Sequence, residues 1–321
     1  MVGAGVPAET LRLSAMTQTA EQDQVTFPGA RAPDRQHWVD VGGLRLRVHE
    51  WGDEAGRPLM LAHGGFDFAR TYDVFAPLLA DAGWRVVSWD HRGHGDSEHA
   101  ELYSWDADVR DALAVFDATT YEPVPVVAHS KGGNMLLQLC EIAPHRLWRF
   151  VNIDGMPSPM RHMEIMGHER TRMMEMAMRD WLTHRRKIAD LTRKPGTLDE
   201  LAKRRGRMNP RLSHEWLRYL VTVGARQDED GWRWKIDPAL RFGGFGPWRH
   251  SWSLGTLQAV PVPLLGILGL QHEEMGWGTE PGQLEPFLPP DARVEYFEDA
   301  GHFVHIEKPR EVADLILDFL S

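Results

Sequence analysis

The segment that most restricts how this chain can fold is Ala128-His129-Ser130-Lys131-Gly132-Gly133. Before it lies Val124-Pro125-Val126-Val127, an apolar run of the buried-strand type. After it comes a helical pattern from about Lys131 to Ile142, stopped by Pro144. A strand that turns into a helix over a single serine forces strained backbone angles there, so small residues must flank it two positions away on each side. Gly132 supplies one and Ala128 the other, where the common pattern has glycine at both. Such a turn lifts the Ser130 hydroxyl above the sheet and points the helix N-terminus at it. The backbone N–H of Lys131 then faces the place where an oxyanion would develop. Ser130 is thus a candidate nucleophile, weighed against a plain surface serine in a strand–helix turn.

The rest of the chain supplies the sheet such a turn needs. Trp38 to Val41 and Leu44 to Val48 flank Gly42-Gly43 and read as a β-hairpin. Pro58 to Ala62, Arg85 to Trp89 and Phe150 to Ile153 read as strands, as do Leu264 to Leu268 and Val294 to Phe297. Between them, Thr71 to Ala82 has apolar residues at helical spacing, Ser104 caps a helix to about Ala118, and Pro309 opens a last helix to Leu320. Alternating strands and helices predict a mostly parallel sheet covered on both faces, with antiparallel strands added by the hairpin. The predicted division is a loosely ordered tail over 1–35, a core made of 36–154 and 259–321, and an insertion over 155–258.

A net charge of −10 makes nucleic acid an unfavourable partner. The single cysteine, Cys140, cannot form an internal disulfide, which points to a reducing, cytoplasmic setting. The first 25 residues lack the apolar run of a signal peptide, and no stretch approaches the ~20 apolar residues of a membrane span. Oligomeric state stays open.

Other motifs fall at the predicted strand ends. His63-Gly64-Gly65-Phe66 makes a tight turn that exposes a second backbone donor, from Gly65 or from Phe66. Asp90-His91-Arg92-Gly93-His94-Gly95-Asp96-Ser97 is dense in turn formers. Its acids and histidines are metal-ligand types, but no helical i, i+4 spacing presents two of them on one face, so a structural loop is the better reading and neither metal nor cofactor is implied. Gly301-His302-Phe303-Val304-His305 lies between the last strand and the last helix. His302, freed by Gly301, is the candidate general base and His305 its competitor.

In this order the motifs resemble the α/β-hydrolase superfamily, over the chain from about residue 36 to the end, excluding the middle zone. The resemblance implies an α/β-hydrolase fold with an eight-stranded, mostly parallel sheet and helices on both faces. It also implies a Ser–His–acid triad, with the site at the carboxyl ends of the strands. The acid usually follows the strand equivalent to Leu264–Leu268, but there the register falls on His272, and Glu273 or Glu274 needs a shifted loop. A second location, used by haloalkane dehalogenase-like members, holds Asp154 in good register. Asp154 is favoured over Glu273, and Glu273 over Glu274.

Family members with a carboxylate nucleophile displace halide or open epoxides, so a serine points instead to acyl transfer. The expected function is hydrolysis of a small to medium, largely apolar carboxylic ester through an acyl-enzyme. Lactone, amide or C–C bond hydrolysis, and a non-catalytic ligand receptor of the same fold, are the alternatives. The insertion implies a cap. Met160, Met163, Met166, Met173, Met174, Met176 and Met178 crowd its start, either as an apolar wall over the site or as packing onto the core. Thr197 to Glu200 fits a capping box, and Arg204, Arg205 and Arg207 form a basic cluster, a solvated face or a steering patch for an anionic substrate.

Overall fold

The computed structural model describes residues 25–101, 103–157, 193–242, 250–276 and 278–321, together with 175, 178, 179, 182 and 183. The Met-rich start of the insertion, apart from Met178, lies outside the described residues, as do residues 1–24 and 243–249.

The chain opens with a hairpin of β1 (Arg35–Asp40) and β2 (Arg45–Trp51). Gly42 and Gly43 both sit at positive φ, +88° and +91°, and Asp40 Oδ1 accepts from both N–H groups at 2.8 and 3.2 Å. Glycines are needed there because a two-residue turn matched to strand twist requires left-handed backbone at both central positions. The parallel strands follow: β3 (Arg57–Ala62), β4 (Trp84–Trp89), β5 (Val124–His129), β6 (Leu147–Ile153), β9 (Leu264–Gly269) and β10 (Arg293–Phe297). The eight-stranded sheet has the order β1-β2-β4-β3-β5-β6-β9-β10, in which β2 runs antiparallel to β1 and β4 and every other pair is parallel. This is the α/β-hydrolase fold.

Helices cover both faces. Phe75–Asp81 (α1) and Pro309–Leu320 (α8) pack on one. Trp105–Thr119 (α2), Lys131–Ile142 (α3) and His250–Gln258 (α6) pack on the other. The strands feed both cores by alternation: Leu59 and Leu61 join the first, Met60 and Ala62 the second. Each fully buried aliphatic side chain contributes about 1.5–3 kcal/mol. The helix expected over Thr71–Ala82 is divided into a 3-10 turn, Ala69–Tyr72, and α1, because Asp73 ends the turn by bonding back to Arg70.

The connection from β3 leads to α1 on one face, while that from β5 leads to α3 on the other. β3 and β5 are neighbours, so their carboxyl ends diverge into a crevice, the switch point at which open α/β sheets bind ligands.

Between β6 and β9 the chain forms α4 (Leu198–Met208), α5 (His214–Gly224) and a small antiparallel pair, β7 (Ala225–Asp228) and β8 (Gly231–Trp234). Thr197 and Glu200 complete the capping box of α4. A third apolar cluster joins Leu201, Trp216, Leu217 and Leu220 of these helices to Phe68 and Phe303 near the strand ends. Residues 25–34, within the expected tail, are tied down. Phe27 meets Trp216 edge-on at 4.9 Å, the Arg31 N–H donates to Asp73 O, and Trp51 Nε1–H donates to Arg31 O. A last short helix, α7 (Val304–Glu307), precedes α8.

Candidate active site

Five consecutive strands, β3, β5, β6, β9 and β10, each end close to a residue singled out by the sequence. In sheet order these are Gly65, Ser130, Asp154, Glu273 and His302.

Ser130 has φ +52° and ψ −119°, a conformation that costs a non-glycine residue about 1–3 kcal/mol. Its neighbours hold it there. The Ser130 N–H donates to Ile153 O at 3.0 Å, and its carbonyl accepts from Asn134 N–H at 3.1 Å. Gly132 is small because a Cβ would stand 2.6 Å from His63 O. Gly155 is small for a related reason, a Cβ there falling 2.4 Å from Ser130 O. Ala128 is fully buried inside β5 and tolerates its methyl.

His302 Nδ1 lies 2.5 Å from Asp154 Oδ2, with both side chains buried. A carboxylate accepts, so the ring donates from Nδ1, and in that neutral tautomer the lone pair is on Nε2. The Asp154 N–H bonds Ile267 O at 2.7 Å, so the β6–β9 pairing sets the carboxylate's position. The His302 carbonyl accepts from His129 Nε2–H at 2.8 Å, which ties the loop to the residue just before Ser130. No hydrogen bond joins Ser130 Oγ to the His302 ring in this structure, and such contacts often close only around substrate.

Glu273 also reaches His302, but at the main chain, where its Oε2 accepts the N–H at 2.6 Å. Burial pushes its pKa up. A Cβ at Gly301 would meet Glu273 Oε2 at 2.4 Å and push aside the carboxylate that holds the His302 N–H; Gly301 itself is not at positive φ. Glu274 is exposed. His305 is turned inward against Tyr72, Phe75 and His129, with both ring nitrogens unpartnered among the described residues, and burial pushes its pKa down to about 3.

On the other side of Ser130, a Cβ at Gly65 would lie 3.6 Å from Lys131 Cβ, so the two backbones adjoin. The Phe66 N–H is already engaged, donating to His94 Nε2 at 3.2 Å. His94 takes this tautomer because its Nδ1–H donates to Arg92 O. Burial pushes His63, His91 and His94 well below the usual imidazole range. His63 Nε2 accepts from His91 N–H, and His91 Nε2–H donates to His63 O. Asp90 accepts from the N–H groups of Ala69 and Asp96. These side chains fasten the loop after β4 to the turn after β3.

Two features escaped the sequence reading. The Lys131 ammonium forms a buried ion pair with Asp108 Oδ2 at 2.7 Å. A signal existed: Asp108 and Asp111 fall on the apolar stripe of α2 with Val109, Ala112 and Val115. Asp111 is matched by Arg92 Nε and Nη2. Asn152 is the other feature; its Oδ1 accepts from Gly155 N–H at 2.9 Å.

Comparison with known proteins agrees with this fold. A putative 2-succinyl-6-hydroxy-2,4-cyclohexadiene-1-carboxylate synthase of Bacillus subtilis is 24% identical, over 87% of this chain and 96% of its own. The sn-1-specific diacylglycerol lipase ABHD11 of Mus musculus is 25% identical, over 92% of each. Among solved structures, the thioesterase domain from the curacin biosynthetic pathway superposes with a TM-score of 0.77 at 22% identity, covering 88% of this chain and 99% of that one, and so shares its fold. The family model described as serine aminopeptidase, S33 matches residues 53–244. The chain therefore belongs to the S33 family of α/β-hydrolases, a family of serine hydrolases.

Proposed function

We propose that this chain hydrolyses carboxylic esters through Ser130, His302 and Asp154 by way of an acyl-enzyme. The observation that carries the reading is the 2.5 Å contact of His302 Nδ1 with Asp154, beside a serine held at φ +52°. His302 Nε2 takes the Ser130 proton as Oγ attacks the ester carbonyl. The carbonyl π electrons move onto oxygen, where the N–H groups of Gly65 and Lys131 stabilise the charge. Collapse breaks the C–O bond to the alcohol, which leaves with the proton from Nε2. Water then attacks the acyl group with His302 again as base, and Ser130 recovers its proton as the acid departs. Asp154 fixes the ring tautomer and stabilises the imidazolium, and Glu273 supports the backbone of the same loop.

Of the insertion, α4, α5, β7 and β8 act as a cap over this end of the sheet, whereas α6, expected within it, packs on the sheet with α2 and α3 and belongs to the core. The contacts of α4 and α5 with Phe68 and Phe303 favour that role, and those rings suit a small to medium, largely apolar substrate. The names of the mouse lipase and the curacin thioesterase are in keeping with acyl transfer to water. Cys140, buried with its thiol pushed up to about 12, fits a reducing, cytoplasmic setting.

The test is turnover of a short-chain 4-nitrophenyl ester. Ser130→Ala should abolish it while leaving circular dichroism and the melting temperature in place, and a fluorophosphonate should label Ser130 in the unaltered protein. Undiminished turnover by Ser130→Ala, or failure to label, overturns the reading.

A further inference from the structure

Helix α4 and the residue that caps its C-terminus carry two polar residues one turn apart, Arg205 and Asn209, both buried, while Arg207 on the same helix is exposed. Arg205 Nη1 donates to the carbonyl of Phe66 at 2.9 Å, in the turn that also carries Gly65. Its guanidinium carbon is 5.8 Å from the ring centre of Phe303, the residue after His302. Asn209 Nδ2 reaches Met275 Sδ at 3.4 Å, beside Gly276, where a Cβ would stand 3.7 Å from His302 Cβ and 3.8 Å from Asp154 Oδ2. Both residues thus face the site from the insertion.

Their hydrogen bonding is incomplete. Among the described residues, Nε and Nη2 of Arg205 and Oδ1 of Asn209 are buried without a partner. Asp67 Oδ1 pairs with Nη2 as an ion at 3.9 Å, too long for a hydrogen bond, and takes the Thr71 hydroxyl, so the Arg205 charge is balanced while its Nε and Nη2 hydrogens stay unmet. An unmet donor on a buried cation is costly, so the fold gains nothing by keeping it empty.

The two vacant donors form one edge of the planar guanidinium, and elsewhere in this chain that edge holds carboxylates. Arg85 Nε and Nη2 grip Glu50 at 2.9 and 2.7 Å, and Arg92 Nε and Nη2 grip Asp111 at 2.7 and 2.6 Å. Such two-point pairing is the strong geometry for a guanidinium and a carboxylate. A chain of net charge −10 repels anions at long range, so an anionic substrate needs a dedicated cation.

We propose that the Nε–Nη2 edge of Arg205 is a specificity site for a carboxylate on the substrate, distinct from the scissile carbonyl. This rests on the ester-hydrolase reading above and deepens it: an apolar acyl chain ends in an anion.

The test compares mono-4-nitrophenyl glutarate with 4-nitrophenyl valerate, esters of equal acyl length that end in a carboxylate and in a methyl. The kcat/KM ratio should favour the glutarate, and Arg205→Gln should lower that ratio roughly ten- to a hundredfold, chiefly through KM. Arg207→Gln removes the same charge from the exposed side of α4 and should not move the ratio. Arg205→Lys keeps the charge without the fork and should recover part of it; it also carries the comparison if Arg205→Gln does not fold. Free glutarate should raise the melting temperature of Ser130→Ala but not of Ser130→Ala with Arg205→Gln. A ratio unmoved by both Arg205 substitutions, or equal glutarate binding with and without Arg205, overturns the proposal. Glutarate bound through Arg205 with neither ester turned over supports this site and counts against the ester-hydrolase reading alone.

Discussion

Asp154 and His302 meet side chain to side chain at 2.5 Å across the ends of β6 and β10. Glu273, the rival carboxylate, holds the same histidine by its main-chain N–H at 2.6 Å. One contact acts on the tautomer of the ring, the other on the path of the loop that carries it.

Asp154→Asn should lower kcat by about 10³–10⁴, because an amide no longer selects the Nδ1–H tautomer or balances the imidazolium. Glu273→Gln keeps an oxygen able to accept the His302 N–H and should change kcat by less than about tenfold. Steady-state kinetics of both variants on one ester check this; equal losses would mean that the two carboxylates share the task.

Gly155→Ala should open the turn at Ser130. The new methyl meets Ser130 O at 2.4 Å and Ser130 N at 3.0 Å, both backbone atoms that cannot step aside. A stability loss of about 1–3 kcal/mol is expected in urea melts, with slower fluorophosphonate labelling. Gly255→Ala is the control: nothing among the described residues lies within 4 Å of its Cβ, and in the middle of α6 it should stabilise by about 0.5–1 kcal/mol.

Lys131→Met should destabilise the fold by about 3–5 kcal/mol, since it strands the buried Asp108 carboxylate. Lys131→Met combined with Asp108→Leu should regain much of that loss, because no charge is then left unpaired. Denaturant melts of the single and double variants measure the coupling.

His305 makes acid stability testable. Burial drops its folded-state pKa to about 3 from 6.5, so the unfolded chain takes up a proton that the folded one refuses. Its contribution is complete above pH 6.5 and is lost as pH falls from there towards 3, by about 1.4 kcal/mol per pH unit. His305→Phe keeps an aromatic ring against Tyr72 and Phe75 and should flatten the dependence in urea melts between pH 7 and 5. His63, His91, His94 and His129 are pushed down in the same sense, so some slope should remain.

What the sequence made legible was local. The Gly42-Gly43 turn, the Ser104 cap, the box at Thr197 and the tight turn at Ser130 each depend on a few adjacent residues whose chemistry dictates their backbone. Choosing between Asp154 and Glu273 depended on something else, namely how β6, β9 and β10 line up and how far each carboxylate reaches. Phe66 illustrates the same limit: sequence leaves its N–H as the alternative to that of Gly65, and only the fold shows His94, from another strand end, taking it. The Lys131–Asp108 pair and the vacant edge of Arg205 likewise arise between segments far apart in sequence.

The sheet order has a consequence in time. Gly65 and Ser130 hang from neighbouring strands made early, whereas His302 arrives only after β10, near the far end of the sequence. During synthesis the taut serine turn can form while the imidazole is still to be made. On the proposed function, such a protein would be inert while it is being made and would become competent only when its closing strand settles beside β9 and delivers the histidine.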